Sequence, residues 1–318
     1  NRISNSRLGL LHPKQDGSPE KFFSGFKSAF NPSFALGSAV HEQILQPDLF
    51  ELAEDTGKPT AKMGGMADAL YETYCQREIT DDDIIKASDS VDYYKGKMTA
   101  DRIAEVRTKC STYWAVRYKR ELDLNTTKEV RYLDYPMLEK AKSCIESLQS
   151  NKLAMELLHP KGLVEDPISE CEQAILLDVK ATMPNGKEVI LHLKAKLDNY
   201  TIDFETNTIK VNDVKTHGQM LNTFDESKVK YHYYREIAFY MYLLGLIAKH
   251  KYNMTNPKKQ ANYLVVSTVP NFYSKVVPVS FVEIRKGFYE FQKLLRYSAY
   301  LMCYKGYSFD EQPGKYEF

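Results

Sequence analysis

Cysteine is scarce and scattered: Cys75, Cys110, Cys144, Cys171 and Cys303 are never closer than 27 positions. That spacing excludes a readable disulfide framework or Cys-x-x-Cys metal site and fits free thiols in a reducing cytoplasm. No run approaches the ~18 consecutive apolar residues of a membrane span, and the opening Asn1-Arg2-Ile3-Ser4-Asn5 lacks the apolar stretch of a secretory signal. Neither a membrane location nor export by that route is expected. Net charge is nearly absent too: 43 Lys+Arg against 42 Asp+Glu give +1, which rules out a polybasic or acidic-tail description of the whole chain. What is present is globular, with 43% hydrophobic, 12% aromatic and 27% charged residues over 318 positions, enough for one large core or two modest ones.

The even balance hides segregation. Residues 249–318 carry 11 basic and 5 acidic side chains and residues 1–31 carry 5 and 2, so the middle of the chain is acidic. Within that middle, 92–120 holds eight basic and three acidic residues interleaved with Tyr93, Tyr94, Tyr113, Trp114 and Tyr118. Cations among aromatics can grip phosphates and stack bases. The plainer reading is a solvated helix face with its aromatics turned into a core.

Hydrophobic spacing predicts a helix over Phe34–Phe50, opened near Asn31-Pro32-Ser33 and closed by Pro47, with His41 one turn from Ile44 and Leu45. Residues 51–167 read as helical and polar. The period then changes to two: Cys171–Thr182 and Lys187–Leu197 flank Met183-Pro184-Asn185-Gly186, a hairpin signal, and Tyr200–Glu205 and Thr208–Thr216 form two further strands. Ser227–His250 is a long helix, Ala261–Val269 and Lys275–Val279 are short strands, and Phe281–Tyr304 is a closing helix. This order implies an α/β (α+β) fold. It reads as a single domain 1–318, with core segments 30–50 and 168–305 and a helical insertion over 51–167.

Chemistry concentrates in Lys194-Ala195-Lys196-Leu197-Asp198-Asn199-Tyr200 and Val211-Asn212-Asp213-Val214-Lys215-Thr216. On a strand, Asp213 and Lys215 share a face while Val214 turns away. Asp198 reads as the end of a strand from which the chain returns through Tyr200–Glu205, bringing a second carboxylate beside Asp213. Two crowded carboxylates repel unless a cation lies between them, and hard oxygen donors suit Mg²⁺ or Mn²⁺. Lys215, its pKa lowered near the ion, would help activate water for attack on a phosphodiester. Asp-x-Lys alone is also a common surface ion pair.

Together these pieces resemble the PD-(D/E)XK nuclease superfamily in its RecB-like and RecE-like branch, the RecE-type phage exonucleases. Lys196-Leu197-Asp198 and Asp213-Val214-Lys215-Thr216 look like that family's Asp and Asp/Glu-x-Lys-Thr strands. Gly37 to His41 and on to Leu45-Gln46-Pro47 look like its Gly-x-x-x-His…Leu-x-Pro helix, and Ile3–Leu8 is similar to its start. Tyr234–Tyr240 takes the place of its Gln-x-x-x-Tyr helix. The resemblance spans roughly 3–50 and 170–245.

It implies a restriction-endonuclease-like core, a mixed central sheet flanked by helices. It implies a metal held by His41, Asp198, Asp213 and the Val214 carbonyl, with Lys215 as the catalytic lysine. Glu172, chosen over Glu170 of the same strand parity, would be the first-strand acid, and Thr216, Glu236 and Tyr240 would lie beside the metal or the DNA. Glu236 stands where the family has Gln, so either it pairs with Arg235 or Lys230 or substrate handling differs. With only Cys303 near the C-terminal end, the four-cysteine iron–sulfur cluster of related nucleases is not expected. The activity implied is a Mg²⁺-dependent 5′–3′ double-strand DNA exonuclease of phage or bacterial recombination, with Mn²⁺ as a substitute ion. It would act on duplex ends in the cytoplasm as a homo-oligomer and hand single strands to an annealing protein. The alternatives are an endonuclease of the same superfamily and a non-catalytic DNA-binding protein that keeps the fold. Tyr231, Tyr233, Tyr234 and Tyr242 read as packing, and His217 and His232 as loop and helix surface.

Overall fold

A computed structural model describes residues 2–24, 32–123, 128–160 and 167–309; the expected helix opening at Asn31 lies outside them. The elements run α1 (Asn5–Gly9), α2 (Pro19–Ser24), α3 (Pro32–Leu45), β1 (Phe50–Glu54), α4 (Ala61–Gln76), α5 (Asp81–Ser90), α6 (Ala100–Asp123), β2 (Glu129–Leu133), α7 (Tyr135–Ser150), α8 (Lys152–Leu158), β3 (Ile168–Thr182), β4 (Glu188–Asp203), β5 (Thr208–His217), α9 (Phe224–Lys230), α10 (Tyr233–Tyr252), β6 (Lys258–Ser267), β7 (Ser274–Pro278) and α11 (Phe281–Tyr304). They form two compact units, 47–142 and the remainder, with the division falling inside α7. No described helix is long and apolar enough to cross a membrane.

In the unit 47–142, α4, α5 and α6 bury Met66, Leu70, Ile84, Val106 and Trp114, and the Trp114 indole N–H donates to the Ala67 carbonyl at 2.8 Å. A capping box of Thr80 and Asp83 opens α5. The expectation of a wholly helical 51–167 needs correction, because β1 and β2 pair in parallel, Phe50 opposite Glu129. Leu52, Ala53 and Glu54 are good helix formers, and a parallel partner far along the chain leaves no local signal.

The other unit is a mixed α/β fold. Its sheet runs β3-β4-β5-β6-β7, with β5 and β6 parallel and the other neighbours antiparallel. One continuous core joins Leu193, Leu197, Val211, Tyr263 and Val265 of the sheet to Ile237, Phe239, Met241 and Leu244 of α10 and Phe291 of α11. α10 and α11 approach closely at Gly287, where a Cβ would stand 2.1 Å from the Tyr234 carbonyl oxygen. Any larger residue there must push the helices apart.

Three expected boundaries differ. The helix predicted over 34–50 ends at Leu45, ahead of Pro47, and Phe50 already belongs to β1. The strands predicted over 187–197 and 200–205 are one strand, β4, so Asp198 lies in its interior rather than at its end. Asp-Asn looks like a turn, but Asn199 is fully buried as a rung of a cross-strand ladder. The Asn262 side-chain amide donates to Asn212 Oδ1 at 3.0 Å, and that of Asn212 to Asn199 Oδ1 at 2.8 Å. Asn212 and Asn199 also donate to the Leu157 and Leu158 carbonyls, which end α8 and have no helical partner of their own. The helix predicted over 227–250 is broken between α9 and α10, where His232 adopts φ +55.

Candidate active site

The β4–β5 ladder ends at the pair Asn199–Asn212. The next pair would be Asp198 and Asp213, but Asp198 Oδ2 instead accepts the Val214 N–H at 2.8 Å. The strands separate there, and side chains from three other elements converge on the opening. α3 lies against β5 at Gly37, where a Cβ would come 3.3 Å from Thr216 Oγ1. One turn later on the same face, His41 Nδ1 is 3.4 Å from Asp198 Oδ2. On β3, Cys171 and Gln173 pair with Asn199 and Leu197, whereas Glu172, directly opposite Asp198, leaves the ladder at φ +54. A left-handed backbone at a non-glycine residue costs about 1–3 kcal/mol and persists where its surroundings enforce it. Here the Glu172 carboxylate lies with His41 and Asp198, one ligand atom from each within 4.8 Å of the others. Glu172 also forms an ion pair with Lys196. Glu170, of the same parity, accepts a hydrogen bond from the Tyr200 hydroxyl at 2.7 Å.

Beside this group Lys215 Nζ lies 2.7 Å from Asp213 Oδ2 and 3.2 Å from Glu236 Oε2, and 5.0 Å from the centre of the Tyr233 ring. Glu236 projects from α10 and accepts the Tyr240 hydroxyl at 3.0 Å. Four carboxylates thus share the region with two lysines and one histidine. Burial pushes the Asp213 carboxyl up to about 8; the Lys215 ammonium opposes this, while Asp198 and Glu236 reinforce it. Burial would lower the pKa of His41, but the Asp198 charge and hydrogen bond outweigh it and raise it. Burial likewise opposes ionisation of Asp198, yet His41, Lys215 and the Val214 N–H hold its pKa below the ordinary value. Lys215, although desolvated, is held well above its ordinary value by Asp213 and Glu236. The lowering expected from sequence belongs to a lysine beside a bound ion; without an ion, these carboxylates keep Lys215 an ammonium, not a base.

A surplus of half-buried carboxylate oxygens with one imidazole is a donor set that suits a hard divalent cation such as Mg²⁺ or Mn²⁺. Ligand atoms within 4.8 Å of one another can close on one ion by small side-chain shifts, since two donors about 2.1 Å from an ion lie at most about 4.2 Å apart. The residues present therefore fit such an ion. Within that spread the structure brings together His41, Asp198 and Glu172. Asp213 is not in the group and is engaged with Lys215. Thr216 touches α3, and Tyr240 touches Glu236.

Glu236 faces Lys215, not Arg235 or Lys230. Arg235 is buried elsewhere, against Asn5 and Glu290. His217 and His232, expected at the surface, are buried. Sequence reading missed the asparagine ladder beside the two aspartates and the part played by Tyr233. It also missed Tyr263, which stands opposite Asp213 on β6 with a fully buried side chain. The repeated Asn at positions 199, 212 and 262, each in a strand, was the available signal, since buried amides must find partners.

No protein-family profile matches this chain, and no curated protein matches it. Among solved structures, it resembles the crystal structure of a candidate exonuclease from Eubacterium rectale, with 8% identity and a TM-score of 0.35 over 92% of this chain and 97% of that one.

Proposed function

We propose that this chain is a Mg²⁺-dependent deoxyribonuclease, a PD-(D/E)XK enzyme of the RecE-like kind that hydrolyses phosphodiesters from duplex ends. The observation that supports this reading is the convergence, from three strands and two helices, of His41, Glu172 and Asp198 beside the Asp213–Lys215–Glu236 cluster. A divalent cation bound there would act as a Lewis acid on the scissile phosphate. His41, Glu172 and Asp198 would hold the ion, and Asp213, now engaged with Lys215, would be a further donor beside it. Lys215, as an ammonium, orients the attacking water and stabilises developing negative charge on the phosphate. Glu236 and Tyr240 hold the lysine in place from α10.

The test uses linear and closed circular duplex DNA with Mg²⁺. Linear DNA should be degraded while circles persist, and Asp198→Asn should lose the activity. Cutting of closed circles would overturn the exonuclease mode, and full activity in Asp198→Asn would overturn the site.

A further inference from the structure

Along α11, far in sequence from the residues above, one face is unlike the surface of the other helices. Tyr289, Tyr297, Tyr300 and Tyr304 are all exposed on it, Tyr289 to 73%. The Tyr297 and Tyr300 rings lie nearly parallel, 6.5 Å between centres and 15° between planes, and the Tyr304 ring follows at 5.2 Å. At 100° per residue, Arg285, Lys286, Lys293 and Arg296 fall on the same third of the helix as these rings. Among the described residues, Arg285, Lys293 and Arg296 have no ion-pair partner. The two acids of the helix are engaged elsewhere, Glu283 with Lys228 and Glu290 with Arg235. From Arg285 to Tyr304 the stripe is about 28 Å long.

We infer that the exposed face of α11 is a docking surface for single-stranded nucleic acid, its tyrosines stacking on bases and its free cations neutralising phosphates. Scattered exposed aromatics are ordinary, but four on one face interleaved with unpaired cations form a patch of specific chemistry. A duplex would use only the cations, because its base faces are already stacked on each other. An acidic peptide would use only the cations as well, having no ring faces to offer. The tyrosines therefore decide for single strands. This surface is independent of hydrolysis, since binding there requires none of the residues of the candidate active site.

Binding is measured by fluorescence anisotropy with a labelled oligothymidylate in EDTA at low salt, on the full chain, with thermal melting as the check on folding. Tyr297→Ala/Tyr300→Ala should weaken binding by roughly tenfold or more, while Tyr297→Phe/Tyr300→Phe should stay close to the parent, since stacking needs the ring and not the hydroxyl. Lys293→Ala/Arg296→Ala should lower the slope of log affinity against log salt by about 1.4. Alanine variants that bind like the parent would overturn the inference. So would phenylalanine variants as weak as the alanine ones, a duplex competitor as effective as the single strand, or displacement by polyglutamate at equal charge. A Lys215→Ala protein that still binds the oligonucleotide but cuts nothing supports the surface whatever becomes of the nuclease reading.

Discussion

Arg235 and Glu236 are neighbours on α10, yet they enter two buried polar clusters of opposite character. Arg235, 2% exposed, donates to Glu290 Oε1 at 3.0 Å and to Asn5 Oδ1 at 2.9 Å; His232 Nδ1 meets the same Glu290 oxygen at 2.8 Å and His12 Nε2 at 3.6 Å. The His12 ring accepts the Lys14 N–H through Nδ1, so when neutral it carries its proton on Nε2, towards Glu290. One guanidinium answers one carboxylate there, and the cluster fastens the N-terminal segment and α11 to α10. Glu236 instead enters a site where carboxylates outnumber cations. A balanced cluster stabilises the fold; an unbalanced one costs stability and leaves a place for a cation or a phosphate.

The sharpest way to break that comparison is to remove the cation from each cluster. Lys215→Ala should lower nuclease activity by about 10²–10³-fold with little change in urea unfolding. Arg235→Ala removes the one permanent cation from Glu290, leaving it only the His232 and His12 rings, and strips Asn5 of its partner; it should cost about 3–5 kcal/mol in the same unfolding measurement while the folded fraction keeps its activity. Equal stability loss in the two would refute the distinction. Next in size is neutralisation of one acid in each. The Asp213 carboxyl binds its proton more tightly folded than unfolded, with a folded value of about 8. Folded protein therefore holds more protons between about pH 4 and 8, and stability falls as pH rises through that window. Asp213→Asn should thus raise the melting temperature at pH 7.5 and abolish the proposed activity, whereas Glu290→Gln should lower the melting temperature and leave the candidate site untouched.

Local rules made part of this legible. α11 spans the predicted 281–304, its start marked by Ser280 and Glu283, which form a capping box. The hairpin turn at Asn185-Gly186 sits between β3 and β4. Strand alternation places Asp213 and Lys215 on one side, and their ion pair is that placement at 2.7 Å. What escaped depends on partners distant in sequence. Glu236 chose Lys215 over its neighbour Arg235 because successive residues on a helix point about 100° apart. The left-handed backbone of Glu172 has no residue-type signal, and the continuity of β4 through Asp198-Asn199 requires Asn212 and Asn262 to satisfy an amide that otherwise belongs in a turn. The cations of 92–120 were visible only as a count. Folded, Arg107 pairs with Asp81 and Arg120 with Asp55, both at 2.7 Å, and Trp114 is core, so most of that stretch's charge is already used within its own unit.

The smallest effect separates the clusters by sign alone. His41 is raised above its ordinary value, burial being outweighed by Asp198, so its contribution to stability is complete below pH 6.5 and is lost as pH rises through its folded value. His12 is lowered: burial is the main cause, Glu290 opposes it, and His232, Arg235 and Lys14 add to it. Its contribution is complete above pH 6.5 and is lost as pH falls through its folded value. Difference curves of melting temperature against pH, parent minus His41→Gln and parent minus His12→Gln, should therefore slope in opposite directions around neutrality. The other titrating groups, Asp213 included, cancel in each difference to the extent that they are not coupled to the mutated ring. Asp198→Asn should flatten the His41 curve, because the anion that raises the imidazole is gone, and should leave the His12 curve as it was. Two curves of the same sign would mean that the imidazole on α3 lies in surroundings as short of negative charge as those of His12, and the surplus of carboxylates that distinguishes the site would not exist in solution.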